Sequence, residues 1–139
     1  MSKTCGIELK KNEARIVVLE GNPEDYIVVS TGITKIALDD PKNQDEVRFF
    51  YNECVAFLEE GDFDRIGIKE RISRGRFAGG TTTFKIEGLI QNTEFPVEII
   101  HSSKIKSKLK DVDLDISMVE DYQVEAMRLA YYLMMEGAP

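Results

Sequence analysis

Near its start the chain reads Thr4-Cys5-Gly6-Ile7-Glu8-Leu9, a strand pattern in which apolar residues recur at every second position. A period of two places Cys5, Ile7 and Leu9 on one face of the strand and Glu8, beside a glycine, on the other. A carboxylate is an unusual choice for a central strand, because buried acids are rare unless they are paired. The stretch predicts the first strand of a sheet and a candidate functional acid, Glu8.

After this strand the chain continues with two more strands and then alternates between helices and strands. The predicted elements are strands at Ala14–Leu19 and Tyr26–Leu38 (the second bent), a helix at Asp45–Glu60, strands at Arg65–Ile68 and Pro96–Ile100, and a helix at Val119–Met135. A β-meander followed by this alternation is the order of a ribonuclease H-like domain. We therefore predict one α/β domain over residues 1–139, with a mixed central sheet whose first three strands are antiparallel and which helices flank.

Local signals predict three details of the helices. The β-branched residues of Thr81–Ile90 fit a strand, whereas the order of the elements fits a helix. We favour the helix, in which Gly88 would allow close packing on the sheet. Asn43 predicts the start of the first long helix and Gly61 its end. Ser117 predicts the N-cap of the last helix.

The composition is that of a soluble globular protein, with 42% hydrophobic and 31% charged residues. No apolar run approaches the roughly 18–20 residues of a membrane helix, and no signal peptide is recognisable, so we expect a cytoplasmic protein without a membrane partner. Cys5 and Cys54 both lie in apolar patterns and are predicted to be small buried hydrophobes. A catalytic thiol would need a nearby base, and the chain has a single histidine.

Basic residues are concentrated in two clusters, although the net charge of −7 argues against a general affinity for nucleic acid. One cluster follows the strand at Arg65–Ile68, and the other follows the strand at Pro96–Ile100. The clusters are either solvated loops or a local anion site. The candidate nucleic-acid contacts are Lys69, Arg71, Arg74, Arg76, His101, Lys104 and Lys106.

Four acids are candidate catalytic residues, because the first strand, the end of the strand at Arg65–Ile68 and the start of the last helix converge in this fold. They are Glu8, Glu70, Asp121 and Glu125. Oxygen ligands hold hard cations, so an enzyme would use Mg²⁺ or Mn²⁺ with Glu8 and Glu125 as ligands. Each acid also has a structural interpretation: Glu8 pairs with a lysine, Glu70 with an arginine, and the other two stabilise a helix N-terminus.

With these residues in view, the chain resembles the bacterial family known as domain of unknown function 3010, through Cys5–Lys10, Asn12–Arg15 and Lys69–Gly80. More remotely it resembles the RuvC and YqgF resolvases. Their first strand reads Gly-Ile-Asp-Pro-Gly, which Gly6-Ile7-Glu8 matches with glutamate in place of aspartate. Their fourth strand ends in a glutamate, where this chain has Lys69. Their last helix carries Asp-x-x-Asp-Ala, of which Glu125-Ala126 keeps the second acid.

Three functional hypotheses follow from these observations. The first is a degenerate or non-catalytic domain that binds nucleic acid or a protein, as a monomer or homodimer, and needs no cofactor. The second is a nuclease that depends on a divalent metal and acts on structured or single-stranded nucleic acid. The third is a domain that binds a small molecule or phosphate and uses Gly79-Gly80-Thr81.

Overall fold

The computed structural model describes residues 2–71 and 80–137 and shows a central sheet with helices on both faces. Its elements in chain order are β1 (Ser2–Lys10), β2 (Glu13–Asn22), β3 (Asp25–Val28), β4 (Lys35–Ala37), α1 (Gln44–Gly61), β5 (Arg65–Lys69), α2 (Thr81–Gln91), β6 (Glu98–Ile100), α3 (Ser102–Lys108), a 3-10 helix (Asp121–Gln123) and α4 (Val124–Glu136). No helix in these residues is long and apolar enough to cross a bilayer.

The strands form one mixed sheet in the order β3-β2-β1-β5-β6. Strand β1 pairs with β2 antiparallel and with β5 parallel, and β5 pairs with β6 parallel. The predicted mixed sheet with an antiparallel start is confirmed. The predicted bent strand Tyr26–Leu38 is two short strands, β3 and β4, that pair with opposite ends of β2. They are separated by a turn in which Gly32 has φ = 79°, a conformation that favours glycine.

Two hydrophobic clusters fill the spaces above and below the sheet. Cys5, Ile7 and Leu9 face the cluster under α1 and α2, as the period of two predicts. The other face of the sheet packs against α3 and α4. Cys5 and Cys54 are free and buried, and burial raises the pKa of both thiols, so both are small core residues as predicted.

The ends of α1 and α2 follow local signals closely. The side chain of Asn43 accepts hydrogen bonds from the backbone N–H groups of the first turn of α1, as predicted. The helix ends one residue later than predicted, because Asp62 rather than Gly61 adopts the left-handed conformation, with φ = 49°.

Helix α2 confirms the helical prediction for Thr81–Ile90. Its Gly88 is exposed with open space around it, so the predicted close packing of this glycine on the sheet is wrong.

The last helix begins later than the sequence predicts. Glu120, rather than Ser117, caps the 3-10 helix and forms a reciprocal capping box with Gln123. The side-chain amide of Gln123 also donates to the Ile16 carbonyl at 2.9 Å, so a contact with β2 determines where this helical segment starts. Helix α3 was not predicted at all, since its residues were interpreted as a basic loop.

Candidate functional site

The candidate site lies where β1 and β5 end side by side. The two strands are parallel, with Ile7 paired to Ile68, so the next residues along them, Glu8 and Lys69, are neighbours on the same face. On the other side of β1, Arg15 of β2 pairs with Glu8. The carboxylate of Glu8 therefore projects from a central strand between basic residues on both neighbouring strands.

Small residues on this face allow α4 to lie directly on the sheet. A Cβ atom added to Gly6 would lie 2.2 Å from the carbonyl oxygen of Ala126 and 2.6 Å from the backbone nitrogen of Ala130. Two residues earlier, the hydroxyl of Thr4 donates to the Ala130 carbonyl at 2.8 Å. This close approach brings Glu125, which precedes Ala126, to the end of β5.

The charged groups at this point form one cluster. The Lys69 Nζ atom lies 2.9 Å from Glu125 Oε1, and Arg128 Nε lies 3.9 Å from Glu125 Oε2. Burial raises the pKa of Glu8, and the negative charge of Glu125 acts in the same direction, whereas Lys69 and Arg15 oppose the increase. The ammonium group of Lys69 thus neutralises Glu125 directly and Glu8 through space.

A cleft of about 540 Å³ opens from this cluster towards α3. Its lining carries basic side chains from three elements and two serines from the start of α3. These residues are Lys69, Ser102, Ser103, Ile105, Lys106, Glu125 and Arg128. Three cations, two hydroxyl groups and one carboxylate make the cleft suited to an anion, because charge-assisted hydrogen bonds from Lys and Arg are the strongest contacts available to phosphate oxygens.

Of the four predicted catalytic acids, the structure brings two together. Glu8 neighbours Lys69 across the parallel strands and Lys69 contacts Glu125, and the negative charge of Glu125 helps to raise the pKa of Glu8. Glu70 is exposed beyond the end of β5, where its backbone N–H donates to the Ile100 carbonyl at 2.8 Å. Asp121 is exposed on the 3-10 helix rather than within α4, and it is not among the groups that shift the pKa of Glu8.

The predicted nucleic-acid contacts are also divided. Lys69 and Lys106 line the cleft. Lys104 is exposed on another side of α3, in a shallow surface shared with Lys108 and Glu136. His101 caps α3, with Nδ1 accepting from the backbone N–H of Ser103 at 3.0 Å, and so orders the helix start beside the cleft.

Of the first basic cluster, Lys69 lines the cleft and Arg71 does not. Arg71 lies towards α2, with its Nε 3.8 Å from Glu87 Oε1 and its guanidinium 4.6 Å from the centre of the Phe84 ring. Arg74 and Arg76 lie outside the described residues, as does Gly79 of the predicted phosphate loop. In that loop, Gly80 is the N-cap of α2.

Arg128 belongs to the cleft, and sequence reasoning did not identify it. Ser102 and Ser103 also line the cleft, and the sequence indicated them only as neighbours of His101. Arg128 lies three residues after Glu125 on α4, so helical spacing could have placed the two side chains together. The serines gave no signal of their own, because α3 is only seven residues long and its pattern is that of a polar loop.

The cluster does not fit a divalent cation. Mg²⁺ and Mn²⁺ are held by several oxygen ligands, and the described part of the chain contains no group of three His, Cys, Asp or Glu side chains placed to share an ion. The ammonium of Lys69 already contacts Glu125, and its positive charge would repel a metal ion. These contacts argue against Glu8 and Glu125 as metal ligands, but they do not test metal binding. The assignment stays a prediction.

The family model described as "Protein of unknown function (DUF3010)" matches residues 2–133, and no curated protein matches the sequence. The solved structure of Thermus thermophilus RuvC in complex with Holliday junction substrate is similar, with a TM-score of 0.70, 10% identity, and 95% of this chain and 92% of that chain covered. A second Thermus thermophilus RuvC structure has a TM-score of 0.66 and 12% identity, with 98% of each chain covered. Identities this low show the shared ribonuclease H-like fold and not a shared activity. The chain has a ribonuclease H-like fold and belongs to the DUF3010 family.

Proposed function

We propose that this protein is a non-catalytic ribonuclease H-like domain that binds the phosphate backbone of nucleic acid in the cleft between α3 and α4. The observation that carries this proposal is the convergence of Lys69, Lys106 and Arg128 on one cleft of a chain whose net charge is −7. On an acidic surface, a local group of cations attracts an anionic ligand to one place. The similar RuvC structure that contains a Holliday junction substrate supports nucleic acid over other anions.

The non-catalytic part of the proposal rests on Lys69. Its ammonium pairs with Glu125 at 2.9 Å, and because Lys69 neighbours Glu8 across the parallel strands, its charge acts on Glu8 too. Hydrolysis of a phosphodiester by two bound metal ions needs carboxylates free to hold those ions. A lysine in contact with one carboxylate and adjacent to the other favours binding of the phosphate over cleavage.

The number of cations determines how strongly binding should depend on salt. Each phosphate neutralised on duplex DNA contributes about −0.9 to the slope of log K against log salt concentration. Because Glu125 offsets one of the three cations in the cleft, two phosphate contacts give a slope of roughly −1.8 on duplex DNA and roughly −1.4 on a single strand. These values are moderate, as expected for one short cleft.

Fluorescence anisotropy with labelled duplex, single-stranded and four-way-junction DNA tests the proposal. The Lys106→Ala variant should bind every form more weakly and reduce the salt slope by about 1, because one phosphate contact is lost. Lys104→Ala is the matched control, since it removes the same side chain from the same helix outside the cleft. Equal effects of the two variants would show that the cleft is not the binding site. An absence of binding to any form at low salt would turn the search to a protein partner.

A metal-dependent nuclease is the second candidate, and the observation that favours it is that Glu8 and Glu125 both lie beside Lys69. This function requires Mg²⁺ or Mn²⁺ to displace Lys69 from the acid pair. It predicts cleavage of one of the same DNA forms in the presence of Mn²⁺, abolished in Glu8→Gln without loss of folding. A cleavage rate unchanged by Glu8→Gln would exclude this site as the source of the activity.

A further inference from the structure

We propose that Lys69 is a built-in counter-cation, whose ammonium group takes the place that a divalent metal ion would otherwise occupy at the Glu8–Glu125 pair. Metal exclusion by Lys69 stands independently of the proposed function. Its consequence, that the cleft binds phosphate without a metal ion, rests on that function.

The position of Lys69 is set by the sheet rather than by its own flexible side chain. It is the last residue of β5, which is held on both sides by parallel pairing with β1 and β6. Its side chain is only 23% exposed, and its Nζ lies 2.9 Å from Glu125 Oε1. An ammonium held in this way cannot leave without separating an ion pair that is partly shielded from water.

The charges around the pair fit this assignment. Glu8 lies near the end of β1 and Glu125 lies on α4, and Lys69 contacts Glu125 while neighbouring Glu8 across the parallel strands. Without Lys69, the carboxylate of Glu125 in the cleft and that of Glu8 on β1 would lose the cation that acts on both. A carboxylate at position 69, at the end of β5, would be the third carboxylate beside those of Glu8 and Glu125. Hard divalent cations bind such a set of oxygen ligands.

Calorimetric titration of Mn²⁺ tests this inference without any nucleic acid. We expect no stoichiometric binding by the wild type and binding of about one ion by Lys69→Glu, because three carboxylates then converge. This binding should be lost in the double variant Lys69→Glu with Glu8→Gln. Lys106→Glu is the matched control, since it makes the same charge change in the same cleft away from Glu8 and should bind no ion.

Two results would overturn the inference. One is stoichiometric Mn²⁺ binding by the wild type that disappears in Glu8→Gln. The other is a folded Lys69→Glu variant that binds no Mn²⁺. If Lys69→Glu does not fold, Lys69→Gln takes its place, and Mn²⁺ should raise its melting temperature more than that of the wild type. An equal response of the two proteins would again contradict the inference.

The consequence for phosphate binding needs a separate measurement. DNA affinity of the wild type should be unchanged by EDTA, because Lys69 supplies the positive charge. Loss of binding in EDTA would reject the counter-cation role and leave the proposed function intact. Failure to bind DNA under all conditions would reject the proposed function, while the Mn²⁺ titration would still decide the role of Lys69.

Discussion

Replacement of Gly6 by alanine tests the contact that builds the site. The added Cβ atom would lie 2.2 Å from the Ala126 carbonyl oxygen, 2.6 Å from the Ala130 nitrogen and 3.1 Å from its Cα atom. All three are backbone atoms of α4, so no side chain can rotate away and the helix itself must move. A displacement of α4 would also lengthen the hydrogen bond from Thr4 to the Ala130 carbonyl.

The expected loss of stability follows from opposing effects. Overfilling a packed site costs about 1–3 kcal/mol, and we take the upper end because backbone atoms are in contact. Weakening the buried hydrogen bond of Thr4 adds about 1 kcal/mol. Alanine restricts the unfolded chain more than glycine, which returns about 0.4–1 kcal/mol. We therefore expect Gly6→Ala to lower the free energy of unfolding by about 3 kcal/mol.

Urea unfolding of Gly6→Ala beside Gly88→Ala measures this effect with a matched control. Gly88 lies in the interior of α2 and is exposed, with open space where a Cβ atom would be. Alanine there should raise the free energy of unfolding by about 0.5–1 kcal/mol, because glycine is a poor helix former. The same substitution should thus have opposite signs at the two positions. A Gly6→Ala protein as stable as the wild type would refute the close approach of α4 to β1.

Three further substitutions test individual side chains of β1 and β5. Burial raises the pKa of Glu8 above its ordinary 4.5, so this residue favours folding below that pH and loses its contribution as pH rises through the folded-state pKa. Glu8→Gln should therefore gain stability relative to the wild type as pH rises above 4.5, and parallel urea-unfolding profiles would contradict this. Arg65 donates to both carboxylate oxygens of Glu98, at 2.8 and 2.6 Å. Arg65→Lys should therefore lower the free energy of unfolding by about 1–2 kcal/mol. An unchanged urea midpoint would show that the two parallel hydrogen bonds contribute nothing to stability. Thr4→Val removes the hydroxyl that donates to the Ala130 carbonyl and should lower the free energy of unfolding by about 1 kcal/mol, seen in calorimetry as a lower melting temperature. A melting temperature at or above that of the wild type would argue against this hydrogen bond.

Local patterns predicted most of the fold because their causes are local. The alternation in β1 distinguishes its two faces without reference to the rest of the chain, and the Asn43 cap satisfies N–H groups only a few residues away. The order of elements resolved Thr81–Ile90 as a helix against its β-branched residues. The start of α4 could not be predicted in this way, because Gln123 bonds to Ile16 on a distant strand.

By itself, the sequence determined the order of the longer elements and the face of β1 on which Glu8 lies, and the family resemblance predicted a lysine, Lys69, where the resolvases have a glutamate. Only the tertiary structure decided that this lysine contacts Glu125, and that Lys106 and Arg128 open onto the same cleft. The physical reason is that these contacts depend on how closely α4 approaches the sheet. That distance is set by Gly6 and Thr4 against residues more than a hundred positions later, which no local periodicity records.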